Sequence, residues 1–310
     1  SEEGVTLLHE AVQAGNLQAV DVLLQDGADP DVYDFARRSS LYCAAQLGFP
    51  RIVNELLSSG ADCLTADENW TSAISIAALG GHKEVVQALL NHGADPNDPN
   101  EHGNTALHMA SLCGHSDVIE VLLVDEGVQV NEVNFIGESA LYRAAHAGHI
   151  SSVVSLLRGG ASASTGFPCC GSLVYFAAER NITLLETLLE EGGSIDARGV
   201  LGISPLLRAV KQEDHRVLLV LLEFGASVTQ EYDGGNSIMH LVTDLSSSGP
   251  AFVDAILQCN PHKRSCSAKG PTALHLAAAS GSEDFVQALV NDGAFIDALS
   301  SQGETALHRA

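Results

Sequence analysis

The chain has 310 residues and a formal charge of −24, from 39 acidic against 15 basic side chains. Such an excess repels phosphate, which disfavours nucleic acid or anionic membrane as the main partner and favours a basic or apolar protein surface. Hydrophobic residues make up 45%, enough for a core, while the longest aliphatic run, Val217 to Leu222, is far too short to span a bilayer.

No charged-then-apolar leader follows Ser1, so neither secretion nor membrane insertion is expected. The seven cysteines are scattered, with only Cys169 and Cys170 adjacent and no CxxC, as reduced thiols of a cytosolic or nuclear protein would be. Acidic faces also keep an apolar assembly soluble, so the charge by itself does not demand a basic partner.

In chain order, the first unit opens at Gly4. Thr6 is placed to cap a helix in which Leu8, Ala11 and Val12 fall at helical spacing, and Gly15 permits the left-handed backbone that ends it. A second helix carries Val20, Leu23 and Leu24; Gly27 stops it, and Asp29-Pro30 is expected to start an extended connection. The pattern then repeats. Ser or Thr followed two residues on by an apolar side chain recurs at Thr6, Ser39, Ser72, Thr105, Ser139, Ser172, Ser204, Ser237, Thr272 and Thr305, at steps of 32 to 35 residues. A period this steady predicts an all-α repeat solenoid, one elongated domain over 1–310 with units beginning near 4, 37, 70, 103, 137, 170, 202, 235, 270 and 303.

Thr105 to His115 (TALHMASLCGH), Thr272 to Gly281 (TALHLAAASG) and His82 to Asn97 (HKEVVQALLNHGADPN) resemble ankyrin repeats. The similarity covers essentially the whole chain, as nine units and the start of a tenth. It implies a stack of helix-turn-helix units with short β-hairpin-like loops, and a role in protein binding. It also implies that Asn97 and Asn131 stand where some members of the family are hydroxylated.

Some units depart from the pattern. The sixth carries Asn181-Ile182 in place of the paired glycine and histidine, behind an atypical loop, Ser164 to Gly171; the seventh has Glu213-Asp214 in place of the inner glycine. In the eighth, Ser246 to Pro250 lengthens a loop and Asn260 to Arg264 replaces the usual exit, so Asp244 to Lys269 is expected to be the least regular part. Because the sequence stops at Ala310 inside a predicted helix and starts without Met, it is expected to be a fragment of a longer protein.

Function must lie in positions that packing leaves free, on the hairpin tips and the last turn of each inner helix, which would line one concave face. In the first half these are Phe35, Arg38 and Leu47; Glu68, Trp70 and Leu79; Glu101, His102 and Leu112; then Phe135, Ile136, Glu138 and His146. Further on they are Glu179, Arg180, Val200, Leu201, Ile203, Lys211, Asp233, Asn236 and Lys269. Phe35, Leu79, Leu112, Phe135 and Ile136 would form an apolar strip rimmed by Glu68, Glu101 and Glu138, suited to a basic or amphipathic segment. Alternatively the apolar tips pack on one another. Trp70 stands where other hairpins have Gly103, Gly137 and Gly202, either as a prop for its neighbour or as an exposed anchor.

The 13 histidines recur in register: His9, His108, His240, His275 and His308 share one place, and His82, His115 and His149 another. Periodic recurrence marks a structural role. No HExxH, Cys/His ligand cluster, P-loop or GxGxxG after a strand is present, and nothing gathers a catalytic triad. The expectation is a monomeric, non-enzymatic protein-binding array without cofactor or metal. The alternatives are a substrate-docking, targeting or regulatory segment of a larger enzyme, channel or ubiquitin-ligase adaptor, and a purely intramolecular spacer.

Overall fold

The computed structural model describes residues 4–163, 172–199, 202–228, 231–232, 236–243, 252, 255–256, 272–279, 281, 283–291, 293–300 and 302–310. Val200, Leu201, Asp233, Lys269, the loop 164–171 and most of 244–269 lie outside the described residues, and with them the expectations placed there. The chain divides into two compact units, Ser1–Cys169 and Cys170–Ala310.

In the first unit, inner and outer helices alternate: α1 (Leu7–Gln13) and α2 (Leu17–Gln25), α3 (Ser40–Leu47) and α4 (Pro50–Ser58), α5 (Ala73–Gly80) and α6 (Lys83–Asn91), α7 (Ala106–Cys113) and α8 (Ser116–Val124), α9 (Ala140–Ala147) and α10 (Ile150–Arg158). Inner helices pack on inner and outer on outer. The second unit contains α11 (Leu173–Arg180) with α12 (Ile182–Glu190), α13 (Pro205–Lys211) with α14 (His215–Glu223), α15 (Ile238–Thr243), α16 (Ala273–Ala279) with α17 (Glu283–Asn291), and a 3₁₀ turn, Ala306–His308. There the hairpin strands β1 (Glu231–Tyr232) and β2 (Asn236–Ser237) pair antiparallel, Glu231 opposite Ser237.

The repeat marker is a helix cap. The side chains of Thr6, Ser39, Ser72, Ser139, Ser172 and Ser204 accept the third amide of their inner helix, each worth about 1 kcal/mol. Behind each cap the small and aliphatic residues of the motif are consumed by packing: Leu41, Ile74 and Leu141 from inner helices and Leu56, Leu89, Leu122 and Leu156 from outer ones are fully buried. Each contributes roughly 1.5–3 kcal/mol.

Both histidine registers are stitching points. His9 and His108 take the cap proton at Nδ1 and donate from Nε2 to the carbonyls of Arg38 (3.0 Å) and Glu138 (3.1 Å) in the next hairpin. His275 repeats this with Glu304 at 2.8 Å. Burial drives the pKa of His108 down to about 4 and keeps the ring neutral, as this geometry requires. In the other register, His82, His115 and His149 donate to the carbonyls of Gln46, Leu79 and Leu112, which end the preceding inner helix and would otherwise lack a partner. Their rings lie where a side chain at Gly48, Gly81 or Gly114 would stand.

Three local expectations are corrected or sharpened. The connection at Asp29-Pro30 starts with a turn, not an extended segment, because the Asp29 carboxylate accepts the amide of Asp31. In the sixth unit Asn181, with φ −155°, ends α11 and also caps α12 through the amides of Thr183 and Leu184. In the seventh, Glu213 takes the left-handed conformation (φ 56°) that glycine takes in its sister units.

Candidate protein-binding surface

Four hairpin tips of the first unit, residues 34–38, 67–71, 100–104 and 134–138, share one construction. The first residue of each, Asp34, Asp67, Asn100 or Asn134, uses its Oδ1 to accept amides two and four residues on. Its backbone pairs with the last residue of the tip, as Asp34 N does with Arg38 O at 3.0 Å. Adjacent tips are then tied to one another: Glu68 N donates to Ala36 O (3.2 Å), Glu101 N to Asn69 O (3.0 Å) and Phe135 N to His102 O (3.1 Å). The tips are one hydrogen-bonded ladder, a rigid rail for the side chains it carries.

The ladder imposes left-handed backbone at the fourth residue of each tip. Gly103 (φ 77°) and Gly137 (φ 84°) adopt it freely, whereas Arg37 (φ 59°) and Trp70 (φ 60°) bear a strain of about 1–2 kcal/mol each. At Gly103, and likewise at Gly4, an aromatic ring on the following tip occupies the space a side chain would take. A Cβ at Gly103 would sit 2.7 Å from Phe135 N and Cδ1, and one at Gly4 would sit 2.9 Å from the Phe35 ring. Where the next tip instead offers Glu68 or Glu101, the preceding position holds Arg37 or Trp70.

The expected site residues fall into three groups. Phe35 (76% exposed), Trp70 (69%), Phe135 (74%) and Ile136 (69%) stand out on the rail, with Glu68 and Glu101 between them. Phe35 and Phe135 also rest on the neighbouring glycine, so part of each ring props its neighbour while the rest faces solvent. Leu47, Leu112 and His146 are exposed at inner-helix ends, although Leu47 lies one residue past the register of Gln46, Leu79, Leu112 and His146. His146 packs beside Tyr142, ring centroids 5.7 Å apart. Leu79, Arg38 and Glu138 are half-buried.

Arg38 is bound to Asp34 at 2.7 Å. Burial alone would raise the Asp34 pKa, but the hydrogen bonds and charge of Arg38 outweigh it and hold the carboxyl below its usual range. Glu138 accepts from Asn134 at 3.4 Å, and His102 lies 3.8 Å from Glu101. Arg37, which the sequence pattern passed over, is the exposed cation of the first tip; its register with Trp70 was the available signal.

In the second unit Ile203 is half-buried, and Glu179, Arg180 and Lys211 are exposed. Glu179 pairs with the buried Arg208 at 3.1 Å, and Arg208 lies over the Tyr175 ring. Asn97 and Asn131 are engaged in exit-loop bonds: Asn97 bridges Gly127 O and Gln129 N, and Asn131 bridges Gly160 O and Ser162 N. Among the described residues no group of three or more His, Cys, Asp or Glu could hold a metal ion, and no helix is long and apolar enough to cross a membrane.

A family profile described as ankyrin repeats in three copies matches residues 41–134 and 239–310, more than half of the chain, and a single-repeat profile matches 3–35. The chain belongs to the ankyrin-repeat family. Among solved structures, the human ASB11 ankyrin repeat domain is similar at 26% identity and a TM-score of 0.61, covering 72% of this chain and 99% of that one. The ankyrin repeat domain of Bcl-3, described as a unique member of the IkappaB protein family, is similar at 29% identity and a TM-score of 0.63, covering 71% and 99%. A comparison with curated proteins finds no match. Ankyrin repeats are in general protein–protein interaction modules.

Proposed function

We propose that this ankyrin array is a non-enzymatic, monomeric interaction module whose partner protein lies along the hairpin tips of the first unit and the inner-helix ends beside them. The observation that carries this reading is the set Phe35, Trp70, Phe135 and Ile136, large apolar side chains held outward on a rail whose backbone bonds are already made. A partner meets them without ordering the loops first, which removes a cost that flexible loops would impose. Glu68, Glu101 and the charge of −24 favour a basic or amphipathic segment.

The test is capture of partner by the wild-type chain and by a Phe35→Ala/Phe135→Ala/Ile136→Ala variant, with thermal melting as control. Lost capture by a folded variant is expected. Equal capture by two folded proteins would remove the site.

A further inference from the structure

The turn between α11 and α12 lacks a part that its sister turns have. Against Gly15, Gly48, Gly81 and Gly114 the next repeat places a ring, that of Phe49, His82, His115 or His149. Three of the four are imidazoles. Each donates from Nε2 to a carbonyl near the end of the preceding inner helix: Gln46 at 3.1 Å, Leu79 at 3.0 Å and Leu112 at 3.1 Å. Such carbonyls have no partner within their own helix.

In α11 the carbonyl in this register is that of Glu179, and the residue of the next repeat that stands in the histidine register is Asp214. The Asp214 carboxylate accepts the amide of Val217 at 3.1 Å, capping α14, and has no N–H to give. Among the described residues the Glu179 carbonyl is thus left without the side-chain donor that its sisters have. In the same place a cavity of about 140 Å³ opens, between Glu179, Arg180 and Asn181 on one side and Asp214 and Arg216 on the other. A cavity of about 150 Å³ holds one benzene ring, so this one has room for a single small ring.

The walls select the occupant. A carbonyl oxygen at the C-terminal end of α11 accepts hydrogen bonds and repels an anion. The Glu179 carboxylate is taken up by Arg208 at 3.1 Å. Arg180, which lies over the Phe176 ring, and the exposed Arg216 therefore set two guanidinium groups against the one carboxylate of Asp214, which disfavours a Lys or Arg head group. What remains is a neutral ring with an N–H, the group that the sister turns hold.

We infer that this socket of the second unit receives a neutral histidine side chain of a partner protein, its ring N–H donating to the Glu179 carbonyl as His82, His115 and His149 do in their own turns. It lies on an inter-helix turn and is independent of the tip surface proposed above.

The probes are 4-methylimidazole, 1-methylimidazole, which is equal in size but has no N–H, and an acetylated and amidated Ala-Ala-His-Ala-Ala peptide. Each is added to the whole chain at pH 8, above the ordinary imidazole pKa of about 6.5. The backbone amide signals of 178–182 and 214–217 report on the socket. The first probe and the peptide are expected to shift these signals saturably at roughly millimolar concentration, as suits so few contact atoms. 1-Methylimidazole is expected to bind about fivefold more weakly, the worth of one hydrogen bond. Asp214→His, which gives this turn the ring of its sisters, is expected to abolish the response in a folded protein.

Absence of a saturable shift overturns the inference, the socket then holding water only. Equal binding of the two methylimidazoles overturns the part given to the Glu179 carbonyl, and binding of 4-methylimidazole without the peptide overturns the protein partner. An undiminished response in folded Asp214→His puts the ring elsewhere. Should Asp214→His fail to fold, the two methylimidazoles on the wild-type chain decide alone.

Discussion

Gly103→Ala tests the contact between adjacent tips directly. The new methyl would meet Phe135 at N and Cδ1; the amide is bonded beside a Cβ in the sister tips of Arg37 and Trp70, so the ring is what must move. Left-handed backbone at φ 77° costs an alanine about 1 kcal/mol, and crowding against the Phe135 ring about 1 more, for a total of roughly 2 kcal/mol. Gly27→Ala is the control: its φ is 87° and nothing lies within 4 Å of the added carbon, so only the backbone cost of about 1 kcal/mol remains. Urea unfolding followed by Trp70 emission, one tip away from Gly103, measures both. If Gly27→Ala proves as destabilising as Gly103→Ala, contact with the Phe135 ring is not what demands glycine there, and the argument fails.

Trp70→Gly is expected to raise stability by about 1 kcal/mol while weakening partner capture, a separation visible by thermal melting beside a capture assay; a destabilised variant would show the ring to be a prop. Tyr42→Phe removes the phenol that donates to Asp67 Oδ2 at 3.0 Å and should cost roughly 1–2 kcal/mol in denaturant melts, without abolishing capture. His108 is neutral in the folded chain down to about pH 4 but titrates near its usual 6.5 when unfolded, so between these values the unfolded state holds more protons. Stability contributed by His108 is therefore complete above about pH 6.5 and falls on acidification towards pH 4, by up to roughly 3 kcal/mol; the fall should be shallower in His108→Ala.

Much of the fold was legible because the repeat makes the same packing demand every thirty-odd residues. The caps from Thr6 to Ser204, the buried Leu and Ala positions and the two histidine registers all follow from it. The tips were less legible. Whether a side chain serves its own turn or faces solvent depends on hydrogen bonds two and four residues away, which periodicity does not record. Arg38 therefore looked free although it is tied to Asp34, and Arg37 was passed over although it is exposed. Leu79 is half-buried at a position where Leu112, in the same register, is exposed. The exclusion between a side chain at Gly4 or Gly103 and the ring of Phe35 or Phe135 links residues about thirty positions apart, and only the folded backbone brings them together.

The most direct measurement is acrylamide quenching of Trp70 in the free chain and with a captured partner. The account predicts a readily quenched tryptophan that becomes shielded when the partner binds. A Trp70 that stays as accessible in the complex as in the free chain would contradict the claim that the hairpin tips are where recognition happens.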